Sequence, residues 1–202
     1  IVTDAENTAG IAAGIIALHE SRFDYTHVNT FTSCGNEGNI TAYKYSAGIA
    51  AQVNVLDTAG LSVTGCYNTG TLTATDGYVA GLVADINKYT DIDVSACDPI
   101  IKYNYISGTL IPAAGSDSYA TIYNNIDTAY TNVEHNYIQN GTATKLLSVK
   151  TTGEIDFPTG YQYYFEAADL ISGKVAYTIN QAAESDIFFQ KIGIDLYPIF
   201  DY

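Results

Sequence analysis

Tryptophan and methionine are absent from this 202-residue chain, and Arg22 is its single arginine. Bases are scarce: 8 lysines and arginines stand against 22 acids, a formal net charge of −14. Nucleic-acid binding requires a basic footprint, and this chain has none to offer. The same deficit disfavours an anionic membrane surface. No run of about 18 apolar residues is present, so no membrane-spanning helix is expected. No basic, apolar leader opens the chain. Together with the missing initiator, this leads us to expect a processed chain or an excised segment.

Catalytic signatures are missing too. There is no Gly-x-Ser-x-Gly elbow for a nucleophilic serine. No glycine-rich loop precedes a Lys-Ser or Lys-Thr pair, so nothing cradles a nucleotide phosphate. His19, His27 and His135 are dispersed and complete no zinc spacing. The best acid cluster is Asp91, Asp93 and Asp98. Alternation would put Asp91 and Asp93 on one face of a strand, where they are weak candidates for calcium. No twelve-residue calcium loop surrounds them, and a solvated strand face is the plainer reading. Enzymes acting on anionic sugars pair grouped acids with arginine or lysine, and the near absence of arginine argues against one.

Charged residues make up only 15% of the chain, whereas the hydrophobic share is 47%, enough for a packed core. Thr, Asn, Ser, Gly and 18 tyrosines fill the polar role, which suits pleated β-structure. At this length one structural unit is the default.

What the chain does have is a recurring phrase. Gly38-Asn39-Ile40-Thr41-Ala42 followed by Ser46-Ala47-Gly48-Ile49-Ala50 returns as Gly70-Thr71-Leu72-Thr73-Ala74 followed by Val79-Ala80-Gly81-Leu82-Val83. Cys34 and Asn36 introduce the first copy; Cys66 and Asn68 introduce the second, 32 residues on. Weaker copies follow. Cys97 lies 31 residues past Cys66. Tyr103-Asn104-Tyr105-Ile106-Ser107-Gly108-Thr109 is echoed by His135-Asn136-Tyr137-Ile138-Gln139-Asn140-Gly141-Thr142. Ser118-Tyr119-Ala120-Thr121-Ile122 stands where the Ala-Gly-Leu box is due, and Ala9 to Gly14 resembles that box in a partial first unit. Self-similarity at this period indicates a stack of repeats, in which the outer copies degenerate because they must end it.

Within one repeat, Leu61 to Cys66 alternates apolar and small polar residues, a strand signal. Asn68-Thr69-Gly70 is a turn, Thr71 to Thr75 a second strand, and Asp76-Gly77 a second turn. Tyr78 to Ile86 reads as a third strand, whose glycine permits a corner or a close backbone approach. Such a unit buries its inner face only against its neighbours. The fold expected is therefore all-β, a right-handed parallel β-solenoid over residues 1–144; an antiparallel β-sandwich is the alternative. Cys34 and Cys66 would then lie one strand spacing apart, about 4.8 Å. We expect a buried thiol ladder there rather than a disulfide.

From residue 145 the pattern changes. Residues 145–202 are expected to form a small cap within the same structural unit, covering the open end of the stack. Phe157-Pro158-Thr159-Gly160 is a turn, followed by the aromatic cluster Tyr161, Tyr163, Tyr164 and Phe165. Ala167 to Ala183 reads as a helix, with Ile171, Val175, Ile179 and Ala182 on one stripe. Phe188 to Tyr202 reads as an extended wrap. A sugar-binding aromatic patch is the rival reading of these tyrosines.

The boxes resemble the GLUG repeat of bacterial surface proteins, named for Gly-Leu-hydrophobic-Gly. Gly81-Leu82-Val83-Ala84 is nearest; Gly48-Ile49-Ala50-Ala51 and Gly10-Ile11-Ala12-Ala13 are looser, and alanine replaces the final glycine in all three. The phrase from Cys66 to Thr71 and the closing segment from Phe188 to Asp201 are also similar to that family's text. The resemblance spans roughly residues 9–143. It implies an extracellular, cell-surface module without catalytic residues of its own. Its expected role is structural or adhesive, as in a filament or surface layer. Its expected contacts are with copies of itself through strand edges or solenoid ends, or with a glycan or host surface. A carbohydrate-binding or carbohydrate-cleaving β-helix is the alternative. Asn39-Ile40-Thr41 and Asn140-Gly141-Thr142 match the N-glycosylation pattern.

Overall fold

A computed structural model describes residues 7–9, 15–17, 28–55, 60–88, 99–125, 132–149, 153–155 and 163–200. The chain is all-β with a small helical segment, and its sheets are parallel. Strands pair with the matching strand of the next repeat rather than with their chain neighbours. Ile40–Ala42, Leu72–Ala74 and Leu110–Ile111 form a three-stranded sheet in which Leu72 faces both Ile40 and Leu110. Val28–Thr32, Gly60–Thr64, Ile100–Lys102 and Val133–Glu134 form a four-stranded sheet. Gly35–Asn36, Tyr67–Asn68, Tyr105–Ile106, Tyr137–Gln139 and Tyr164–Phe165 form a five-stranded one. Among the described residues, antiparallel pairing is confined to Gly153–Ile155 against Lys145–Val149 and to a Phe189–Ile199 bridge. Parallel pairing on this scale rules out the antiparallel sandwich.

The largest sheet shows what the repeated glycine does. Tyr45–Ala47 and Ala50–Val55 are two halves of one side, parted at Gly48. Tyr78–Ala80 and Val83–Lys88 are parted likewise at Gly81. In the next repeat Ser118–Asn125 runs unbroken and pairs with both halves below it. Ala120 stands there in register with Gly81. A Cβ on Gly48 would lie 2.4 Å from the Gly81 carbonyl oxygen, and one on Gly81 would lie 2.3 Å from that of Ala120. Glycine is thus required wherever the next repeat lies directly above. Alanine is tolerated at 120 because the pairing to Lys145–Val149 shifts register between Tyr119 and Ile122. The single strand read over Tyr78 to Ile86 is therefore two, with both the corner and the close approach realised.

Alternation sorts side chains as the sequence predicts. Leu61, Val63, Leu72 and Ala74 are buried, while Ser62, Thr64, Thr71 and Thr73 are half-exposed. Leu61 and Val63 join Ile49, Val53, Leu82, Ile86, Ile101, Ile106, Ile122, Ile138 and Leu147 in the main apolar core, while Leu72 and Ala74 pack with Ile40, Val79 and Leu110 in a second cluster. Each fully buried aliphatic side chain contributes roughly 1.5–3 kcal/mol.

Buried amides run beside that core. Asn36 Nδ2 donates to Asn68 Oδ1 at 2.7 Å, and Asn104 Nδ2 donates to Asn136 Oδ1 at 2.8 Å, each across 32 residues. Asn104 Oδ1 accepts the Cys66 amide at 2.7 Å, across 38 residues. Asn104, not Cys97, therefore occupies the next position in the Cys34–Cys66 column. The longer interval arises between Val83–Lys88 and Ile100–Lys102, where residues 89–99 replace the short connection 56–59. Cys97 and the calcium candidates Asp91 and Asp93 lie there, outside the described residues, as do His19 and His27.

Lys145–Val149 pairs in parallel with Ser118–Asn125. The expected single helix is two, α1 (Ala167–Ile171) and α2 (Lys174–Ala183). Gly173 parts them in the left-handed region at φ 82°. Val175 and Ile179 are buried as the stripe requires, but Ile171, beyond the break, is 52% exposed.

Two substitutions test this arrangement. Asn104→Leu leaves up to three buried groups unpartnered, the Cys66 N–H, the Val63 carbonyl and the Asn136 amide oxygen. At about 1–3 kcal/mol per orphaned group, the expected loss is about 3 kcal/mol or more in urea unfolding. Gly81→Ala is expected to cost about 1–3 kcal/mol by overpacking. A loss below about 0.5 kcal/mol at both positions would contradict the register.

Candidate functional site

The five-stranded sheet carries a column of tyrosines. Gly35, Tyr67, Tyr105 and Tyr137 align across four neighbouring strands. The Tyr67 and Tyr105 rings stack 5.1 Å apart at an interplanar angle of 8°. Gly35 carries no side chain because the Tyr67 ring lies over it, and a Cβ there would sit 2.2 Å from that ring. The tyrosine hydroxyls are satisfied at a distance in sequence. Tyr67 Oη donates to Glu37 Oε1 at 2.6 Å, and Tyr105 Oη donates to the Pro198 carbonyl at 2.6 Å.

The C-terminal segment covers this column along the side of the stack. Val175, Ala176 and Ile179 of α2 pack on it together with Phe165, Leu170, Phe188 and Phe200. Phe188 meets Tyr105 edge-on at 5.1 Å, and Phe200 lies 5.3 Å from Tyr67. Asn180 pins the returning chain: its Oδ1 accepts the Ile187 and Phe188 amides, both at 3.0 Å, and its Nδ2 donates to the Phe188 carbonyl. Gln190 Nε2 ties the wrap to α1 through the Leu170 carbonyl at 2.8 Å.

Between stack and wrap lies a groove of about 480 Å³. One wall is a polar ladder, Glu37, Thr69, Ser107 and Gln139, one residue per repeat. The other is Ala167, Leu170 and Ile171 from α1 with Leu196 and Tyr197 from the wrap. Burial, with the Glu37 carboxylate nearby, raises the pKa of the Tyr197 hydroxyl above the usual phenol value. Among the described residues, Glu37 is the only carboxylate lining the groove, and no lysine or arginine lines it. The Glu37 carboxylate is held by the Tyr67 hydroxyl at one edge of the groove.

The other sequence candidates fall elsewhere. Of the aromatic cluster, Phe165 is buried, Tyr163 half-buried and Tyr164 exposed; Tyr161 lies outside the described residues. His135 adopts a left-handed backbone at φ 52° and stacks on Tyr103 at 5.5 Å. Asn39 and Asn140 are both exposed. Cys34 is half-buried and Cys66 buried, both as free thiols; Cys66 Sγ faces the Phe31 carbonyl. Among the described residues, no group of three or more His, Cys, Asp or Glu is placed to hold a metal ion, and no helix is long and apolar enough to cross a membrane. No family model, curated protein or solved structure matches the chain.

Sequence reading missed the polar ladder and the groove. The signal for the ladder was present: aligning on the tyrosines rather than the cysteines puts residues 37, 69, 107 and 139 in one column.

Burial pushes the Cys66 thiol from 9.0 up to about 12 and the Tyr137 hydroxyl from 10.0 up to about 12. The folded state therefore holds these protons more tightly than the unfolded chain does. Stability is unaffected by these groups below about pH 9 and falls as pH rises from about 9 to about 12. Urea midpoints at pH 8, 10 and 11 are expected to decline in that order. Cys66 is expected to resist iodoacetamide at pH 8 until the protein is unfolded; prompt alkylation of the native protein would contradict its burial.

Proposed function

We propose that this chain is a right-handed parallel β-solenoid that serves as a non-enzymatic structural or adhesive module on a cell surface or in an extracellular assembly. One observation carries the reading: equivalent residues of successive repeats pair in parallel and in register, as Ile40, Leu72 and Leu110 do. Each repeat then makes one winding, and stability comes from neighbouring windings sharing an interior. Right-handedness follows from the preference of parallel crossover connections. Residues 145–202 belong in this reading to the same unit, with the C-terminal helices and wrap covering the tyrosine column along its side. The partial GLUG boxes and the closing segment support a surface location. The charge of −14 fits a soluble extracellular module, and the short polar side chains fit strands that stack on copies of themselves. The groove's lone carboxylate favours this reading over a sugar-cleaving one.

Stack ends also suggest how copies meet. Val28–Thr32 is the terminal strand of the four-stranded sheet on one side, and Val133–Glu134 on the other, among the described residues. A head-to-tail contact between these two edges is heterologous and builds an open filament. Sedimentation from micromolar to millimolar protein is expected to show oligomers growing with concentration, and micrographs to show fibres. Thr30→Pro, which blocks an edge without touching the core, is expected to shorten them. A monomer throughout that range would overturn the assembly.

A further inference from the structure

We infer that the groove beside the tyrosine column is a binding site for a neutral, linear glycan. Its polar wall presents Glu37, Thr69, Ser107 and Gln139 at one residue per repeat. Adjacent rungs are about 4.8 Å apart, so four of them extend over roughly 14 Å. That step is close to the length of one pyranose unit in an extended chain, and the ladder matches about three successive sugars.

The two walls suit the two sides of a sugar. Carboxylate, hydroxyl and amide groups on the ladder meet hydroxyls along one edge of the chain. Ile171 and Leu196, 52% and 71% exposed, with the ring of Tyr197, offer apolar surface to the C–H face of the sugar rings. Pockets for small polar ligands combine apolar lining with a few placed polar groups in this way.

Competing ligands fit less well. An extended peptide docks by adding to a sheet edge, but the backbone here is already used: the Thr69 amide donates to Asn36 and the Ser107 amide to Asn68, both at 2.9 Å. An acidic polysaccharide needs cations, and among the described residues no lysine or arginine lines the groove. With one carboxylate, the site binds without cleaving.

The inference rests on the in-register stack but not on filament assembly. Titration calorimetry and amide chemical-shift mapping on the native protein use cellohexaose, laminarihexaose and xylohexaose as neutral probes and oligogalacturonate as the anionic control. At least one neutral probe is expected to bind saturably and to shift Thr69, Ser107, Gln139 and Leu196. Ser107→Trp, which fills the groove, and Leu196→Ala are each expected to weaken binding at least tenfold. Tyr177→Ala, an exposed aromatic on α2 outside the groove, is expected to leave it unchanged. No binding of any neutral probe, tighter binding of oligogalacturonate, shifts confined to other residues, or release of reducing ends would each overturn the inference. If Ser107→Trp fails to fold, the shift map and Leu196→Ala decide it. A stable monomer that still binds the glycan would sink the filament and leave the groove standing.

Discussion

Everything in this fold depends on a buried amide finding its partner in a different repeat. Asn68, Asn104 and Asn136 are essentially inaccessible to solvent. A buried carboxamide without partners is costly, and networks of such groups are stable only when complete. Here most of the partners lie more than thirty residues away: Asn36 on Asn68, Asn104 on Asn136, the Asn136 amide on the Ile101 carbonyl. A slip of one residue would aim every amide at the wrong neighbour and turn the apolar side chains outward. The amides therefore set register, and register sets everything else.

Glycine follows from the same closeness. Gly70 and Gly108 sit where a Cβ would lie 2.1 Å and 2.0 Å from the carbonyl oxygen of the glycine below. Repetition of the Gly-Asn-Ile and Gly-Thr-Leu phrases records one backbone passing beneath another, not a binding motif. Where stacking loosens, the phrase decays. Ala120 replaces glycine beside a register shift, and Ile106 and Ile138 replace Asn36 and Asn68 as the amide column moves over to the cysteine position.

Strands, turns and the special glycines were legible because period and backbone geometry are local properties. Leu61, Val63, Leu72 and Ala74 announce their inward face by alternation alone. The 38-residue interval was not legible, because Cys97 offered a match at nearly the usual spacing while Asn104 holds the position. The break at Gly173 was visible as a weakness in the helix, but not that it turns Ile171 outward. The groove was hidden most deeply. Its walls are separated by up to about 160 residues, as Glu37 and Tyr197 are, and only the docking of the C-terminal wrap brings them together. The C-terminal aromatics read as a cap or a sugar platform are divided: Phe165 is buried against Tyr67 and Tyr105, Tyr164 is exposed, and Tyr197 of the closing segment reaches the groove.

The central claim is that successive repeats lie directly on one another. Nuclear Overhauser contacts in an isotope-labelled sample measure this most directly. The account predicts parallel-sheet contacts from Leu72 to both Ile40 and Leu110, and from Tyr105 to both Tyr67 and Tyr137. Contacts from these residues only to neighbours along the chain, or an antiparallel pattern, would contradict it.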